Sequence, residues 1–288
     1  MILFFHRHIL FNIIILVVLI LLITGCSSTR FIYTFIEKFI KDEITYFLDL
    51  DEEEKILLNQ QVTEMLKWHR TFMLPRYANY LITIADKLEE DQYDAVVINK
   101  FLEDGKSLIE ETVTGLTPYA SKFLVGNQTV KSIEFMEKRM LNRRQERIME
   151  LSKSEVVLYE ERFERLISNF ERFFGDLEDS QLTLVEAHAR ITLNETKVRL
   201  HNRTLRQKFF IRFLRTKPTD LELTNYLNEL LLNGHTITNP SYETFSENSL
   251  QRFHMLLVNI LAISSRLQRE KIINKLRVYA EDFKAISG

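Results

Sequence analysis

With 7 Gly and 4 Pro in 288 residues, this chain has little with which to turn a strand or stop a helix. No stretch alternates Val, Ile or Thr with polar residues, whereas apolar residues recur at spacings of three and four. Both facts predict an all-α fold, an elongated multi-helix bundle of about nine or ten helices. Asp49 and Asp51 supply N-cap chemistry, and Glu52-Glu53-Glu54 suits the positive end of a helix dipole. The helix they open carries Leu58, Val62, Met65, Leu66, Phe72 and Met73 on one side, and Pro75 is expected to kink or restart it. A helix over Tyr93–Thr114 is expected next, then a short one from Thr117-Pro118 to Val125, with Gly126-Asn127 ending it and capping its successor. That successor buries Ile133, Met136 and Met140 and turns Arg143, Arg144 and Arg147 outward. The clearest stripe follows Ser154: Tyr159, Phe163, Leu166, Ile167, Phe170, Phe173 and Phe174, closed by Gly175. One long helix is expected from Asp179 to about Arg215. A polar loop should run from Asn233 to Ser246, and two last helices follow, the second opening at Ser265 with Gln268 in capping-box spacing.

The N-terminus reads differently. Arg7 heads an apolar run from Ile9 to Ile23, which is short for a membrane span and suits the apolar core of a secretory leader. The run ends in Leu22-Ile23-Thr24-Gly25-Cys26, an aliphatic residue and small residues before Cys, the pattern of a lipoprotein cleavage site. Cleavage between Gly25 and Cys26 would free an amine and thiol for acylation, and several acyl chains hold a membrane far more firmly than one. Cys26 is the only cysteine, so no disulfide can form within the chain. Ser27, not Asp, follows it, which points to the periplasmic face of the outer membrane, with the inner membrane as the alternative. The expected parts are a leader over 1–25, the lipidated Cys and a short linker over 26–30, and a helical periplasmic domain over 31–288. A division of that domain into lobes 31–126 and 127–288 is open.

Losing the leader removes one cation, Arg7, of 38 and none of the 40 acids, leaving a formal charge of −3. Nothing there asks for nucleic acid. The basic second half of the long helix, with Arg199, Arg203, Arg206 and Arg212 and no acid between Thr196 and Thr219, is a candidate site for anionic groups such as lipid phosphates. The plainer expectation is that it pairs with the acidic helix bearing Glu155, Glu160, Glu161, Glu164 and Glu171. His69, His188, His201, His235 and His254 lie far apart, with no pair at ligand spacing, so neither metal nor cofactor is expected. No glycine-rich phosphate loop or nucleophile elbow marks an active site, and no catalytic residue is assigned.

One segment concentrates unusual residues: Tyr46-Phe47-Leu48-Asp49-Leu50, then Trp68-His69-Arg70 and Leu74-Pro75-Arg76-Tyr77. With Gly115-Leu116-Thr117-Pro118, the Arg143-Arg144 helix, Phe174-Gly175 and Leu276-Arg277-Val278-Tyr279-Ala280-Glu281-Asp282 behind the Cys26 motif, the chain resembles a family of uncharacterised proteobacterial lipoproteins, a domain of unknown function. It departs from that pattern after Arg30, where Tyr33 is followed by Thr34-Phe35-Ile36 instead of an Asn-rich stretch. The resemblance implies an all-helical periplasmic domain and carries no active site.

Trp68, His69, Arg70, Pro75, Arg76 and Tyr77 are therefore the candidate partner-binding residues, a groove at a kinked helix, weighed against simple core packing. The expected function is a non-enzymatic interaction or scaffold protein of the envelope, with membrane lipid and other envelope proteins as partners. The alternative is a lipid or amphiphile carrier whose cavity, beside the basic helix, is lined by the Tyr159–Phe174 stripe, and an envelope hydrolase ranks third.

Overall fold

The computed structural model describes residues 28–288; Gly25, Cys26 and the expected leader lie outside the described residues. About 85 % of the described residues are helical, and none of them forms a strand, in line with the breaker-poor sequence. In chain order the helices are α1 (Ser28–Phe47), α2 (Glu52–Trp68), a π-helical turn (His69–Met73), α3 (Leu74–Glu89), α4 (Ala95–Val125), α5 (Val130–Glu150) and α6 (Glu155–Phe174). They continue as α7 (Asp179–Ile191), α8 (Glu195–Leu214), α9 (Asp220–Leu232), the single turn α10 (Gly234–Ile237), α11 (Ser241–Ala262) and α12 (Arg266–Ser287). None of the described helices is long and apolar enough to cross a membrane.

Two prolines sit inside helices. Asp51 caps α2 through a box with Glu54, and the rod then runs through Pro75 without restarting. An ordinary helix would ask Pro75 for an N–H and press its ring on the preceding turn. The π-helical turn instead inserts one residue there, with the Leu74 N–H donating to the His69 carbonyl. α4 likewise runs through Pro118, so the two helices expected over 93–125 are one of 31 residues, about 46 Å long. Pro118 leaves the Thr114 carbonyl without its usual donor, and the Thr117 hydroxyl lies 3.1 Å from that oxygen and 2.7 Å from Asn228 Oδ1 on α9. The following cap is Thr129 and not Asn127: Thr129 Oγ1 accepts from the Ser132 N–H at 3.1 Å, while the buried Asn127 donates back to Phe123 O.

The expected long helix from Asp179 to Arg215 is broken at Thr192–Asn194. Buried Thr192 donates its hydroxyl to His188 O, and Arg162 of α6 donates to Thr192 Oγ1, Nε at 2.9 Å. This side-chain competition interrupts the helix at Thr192. The expected Asn233–Ser246 loop is also largely helical, because Pro240, with φ −53°, sets up the first turn of α11.

Two apolar cores result. The first joins Leu58, Val62, Leu66, Phe123, Met136 and Leu214, from α2, the end of α4, α5 and α8. The second joins Leu88, Ile98, Phe170, Val185, Ile260 and Leu276, from α3, the start of α4, α6, α7, α11 and α12. Each takes helices from both sides of residue 126, and α2–α3 and α4 run through both.

A buried carboxylate ties α8 to α11. Glu195 accepts from Ser249 Oγ at 2.7 Å, from Arg199 at 3.1 Å and from Arg252 Nε at 3.1 Å. Burial opposes its ionisation, but the bonds from Ser249, Arg252 and Arg199 outweigh that and hold its pKa below the usual carboxylate value of 4.5. The stabilisation is therefore complete above the unfolded-state pKa and lost as pH falls through the lower folded-state value. Glu195→Gln should cost about 2 kcal/mol at pH 7, less than a fully buried pair because both guanidinium groups are partly exposed. The gap to the parent protein in urea denaturation should narrow as pH drops below about 4.5.

Candidate functional site

The six candidate residues of the Trp68–Tyr77 segment divide between two faces of the rod. The inward face packs. The Tyr33 hydroxyl of α1 lies 3.1 Å from His69 Nδ1, the His69 and Tyr77 rings are 5.7 Å apart, and Tyr77 meets Phe283 of α12 edge-on at 6.0 Å. Tyr77 also shares a hydrogen bond with Thr112 of α4. Burial lowers the His69 pKa and raises those of Tyr33 and Tyr77, so this trio is held neutral at neutral pH. Arg70 is exposed on the side of α1, where its charge acts on Tyr33 and Glu37. Pro75 is half-buried. His69 and Tyr77 hold the rod against its neighbours.

Trp68 and Arg76 face the other way. The Trp68 indole stacks with Phe72 at 6.2 Å, and the two border an open, mostly apolar groove of ≈ 530 Å³ between the π-helical turn and α4. Arg76 closes one end in an ion pair with Glu111, beside Glu110. Phe72, within the π-helical turn, is 58 % exposed, whereas Met73 next to it is buried. A Cβ on Gly115 would fall inside the Trp68 ring, so this glycine is a slot for the indole and not a helix stop. Phe72, Glu111 and Gly115 were outside the residues expected here. The Trp68/Phe72 spacing of four was a signal for Phe72, and Gly115 stood in the Gly115–Pro118 motif.

The four candidate cations of the basic helix do not converge. Arg199 joins the Glu195 and Ser249 cluster and lies over Phe245. Arg206 packs on Gly234 and over the Tyr242 ring, with its buried Nε unpartnered. Arg212 lies over Phe209 of its own helix, and Arg203 alone turns toward α5. The expected pairing with the acidic face of α6 is replaced by other partners, among them Glu137 of α5 for Arg215. No cluster of metal-ligating side chains occurs among the described residues.

The aromatic stripe of α6 also splits. Tyr159 stacks on Phe163 and takes Arg190 and Glu186 at the surface. Leu166, Phe170 and Phe173 instead enter an apolar cleft of ≈ 370 Å³ shared with Ile84, Leu102 and Leu257. Tyr80 stands at its wall and donates to Phe101 O at 2.8 Å. No residue of α8 lines this cleft, so it is not the cavity expected beside the basic helix; it opens on the α3–α12 side of α6.

Residues 46–243 match the model of a family of unknown function, DUF6279. No curated protein and no solved structure matches the chain.

Gly115→Ala tests the slot. Alanine gains about 1 kcal/mol of helix propensity, but the rigid indole cannot yield as a flexible chain would, and overpacking costs about 1–3 kcal/mol. The variant should melt below the parent protein in a thermal scan, and Trp68→Ala in the same background should recover part of the loss.

Proposed function

We propose a function on the premise that the chain belongs to the DUF6279 family, whose function is unknown and which lends it no activity. The protein is a non-enzymatic interaction protein of the cell envelope. Its leader ends at Gly25, acylated Cys26 holds it at the periplasmic face of the outer membrane, and the groove beside Trp68 receives an apolar segment of another envelope protein. One observation carries this reading: Phe72 is presented to solvent against Trp68 within a π-helical turn. Exposed aromatic residues over a formed groove are the usual anchors of protein interfaces. π-helical turns often occur at functional positions. The proteobacterial lipoprotein character rests on the Cys26 motif and on the family resemblance.

A second reading, an amphiphile carrier, is favoured by the apolar cleft between α3, α4, α6 and α11. Its dimensions and lining suit a hydrocarbon chain.

A photo-crosslinking residue at Phe72 or Ser107 tests the first reading in cells. Discrete protein adducts, lost in Trp68→Ala, are expected. Their absence where the protein is abundant and folded would overturn it, and lipid extracted from the purified protein but not from Leu102→Trp would favour the second. Cys26→Ala should abolish acyl labelling and membrane retention, and labelling that persists would refute the anchor.

A further inference from the structure

Two adjoining hollows of ≈ 330 and ≈ 190 Å³ lie where the end of α5, the start of α6 and the first half of α8 meet, and they share Arg147 and Glu150. The first is walled by Arg143, Arg144 and Arg203, with Glu146. The second adds Lys153, Arg162, Arg165 and Lys197, with Glu161. Eight cations thus face three carboxylates, a local excess of five positive charges on a chain whose formal charge is −2.

The acids do not satisfy this set. Arg143 is 3.4 Å from Glu43 and 3.8 Å from Glu146, Arg147 pairs with Glu150, and Lys153 pairs with Glu161. Arg162 donates only to the neutral Thr192 hydroxyl. Arg144, Arg165, Lys197 and Arg203 have no hydrogen-bonding, ionic or aromatic side-chain partner among the described residues. Four unspent cations gathered from three helices repel one another, and folding gains nothing from placing them together. Burial, together with the charges of Arg165 and Arg199, depresses the Arg162 pKa against the pull of Glu195.

We propose that this cleft binds a ligand bearing two linked phosphate-type groups, one in each hollow. Six of the eight cations are arginines, whose planar forks take phosphate oxygens in pairs. The shared Arg147 stands between the two positions, where the bridge of a diphosphate or the spacer of a bis-phosphorylated headgroup would lie. The site is separate from the Trp68 groove and does not depend on the function read there.

The full chain in uncharged detergent micelles, titrated calorimetrically at 50 mM salt, tests the proposal. Inorganic pyrophosphate and cardiolipin-doped micelles are the two probes, with inorganic phosphate and phosphatidylcholine micelles as references. A diphosphate probe should bind with sub-millimolar Kd, at least tenfold tighter than its reference, and weaken as salt rises. Arg144→Gln/Arg203→Gln and Arg165→Gln/Lys197→Gln, each emptying one hollow of its unpaired cations, should lose tenfold or more at unchanged helicity and Tm. Arg266→Gln on α12 should lose nothing. Binding of pyrophosphate alone assigns the ligand to free diphosphates, and binding of cardiolipin, with or without pyrophosphate, assigns it to a headgroup. No binding of either probe, or affinity unchanged in both double variants, would overturn the site.

Discussion

Two long helical rods cross where the Trp68 indole lies on Gly115, and the arrangement of the other helices depends on that crossing. One rod is α2 with α3, the other α4, and each runs through both apolar cores. Neither could do so if its proline acted as a stop. The π-helical turn absorbs Pro75, and the Thr117 hydroxyl approaches the carbonyl that Pro118 leaves bare. Two of the chain's four prolines are thus housed inside helices, while Pro218 and Pro240 lie between them. The glycine at the crossing has a steric reason: a backbone without Cβ is what allows a large flat ring this close.

This constraint also explains which parts of the fold were legible in the sequence. Caps that act through their own side chains, such as Asp51 with Glu54 and Ser265 with Gln268, are local chemistry and read directly. So does the stripe of α6, whose register depends only on its own helix. The Thr192 break was illegible because its cause is distant: Arg162, thirty residues earlier, reaches the Thr192 hydroxyl. Pro118 misled for a similar reason. Thr-Pro is an N-terminal signal in isolation, and Asn228 of α9, beside the Thr117 hydroxyl, is far away in sequence. The Asn233–Ser246 stretch looked like a loop because polar residues at a helix surface and polar residues in a loop share one composition.

The groove was half legible. Trp68 and Arg76 stood out by residue type and do line it, but an unbroken 3.6-residue period cannot show that Phe72, within a π-helical turn, stands outward while His69 and Tyr77 turn inward. Composition also identified a basic helix, but not which of its cations gather with those of other helices. Arg199, Arg206 and Arg212 spend their charge or their planes on nearby partners, whereas Arg203 joins cations from α5. Sequence density of charge measures one helix. A binding site measures convergence of several, and that is fixed by packing.

The acidic label on α6 shows the same point in energetic terms. Glu155, Glu160, Glu164 and Glu171 point to solvent, where exposed charges contribute little to stability. The side of α6 that shares a hollow with α8 carries Arg162 and Arg165, opposite Lys197. Had the fold been arranged for ion pairing alone, a rotation of α6 would have set its glutamates against Arg203 and Lys197. That rotation would also have withdrawn Phe170 and Phe174 from the second core, at about 1.5–3 kcal/mol for each buried side chain. Each of those terms exceeds the worth of an exposed ion pair. Apolar burial therefore sets the orientation of α6, and the unpaired cations at its junction with α5 and α8 are held together by a core they do not belong to.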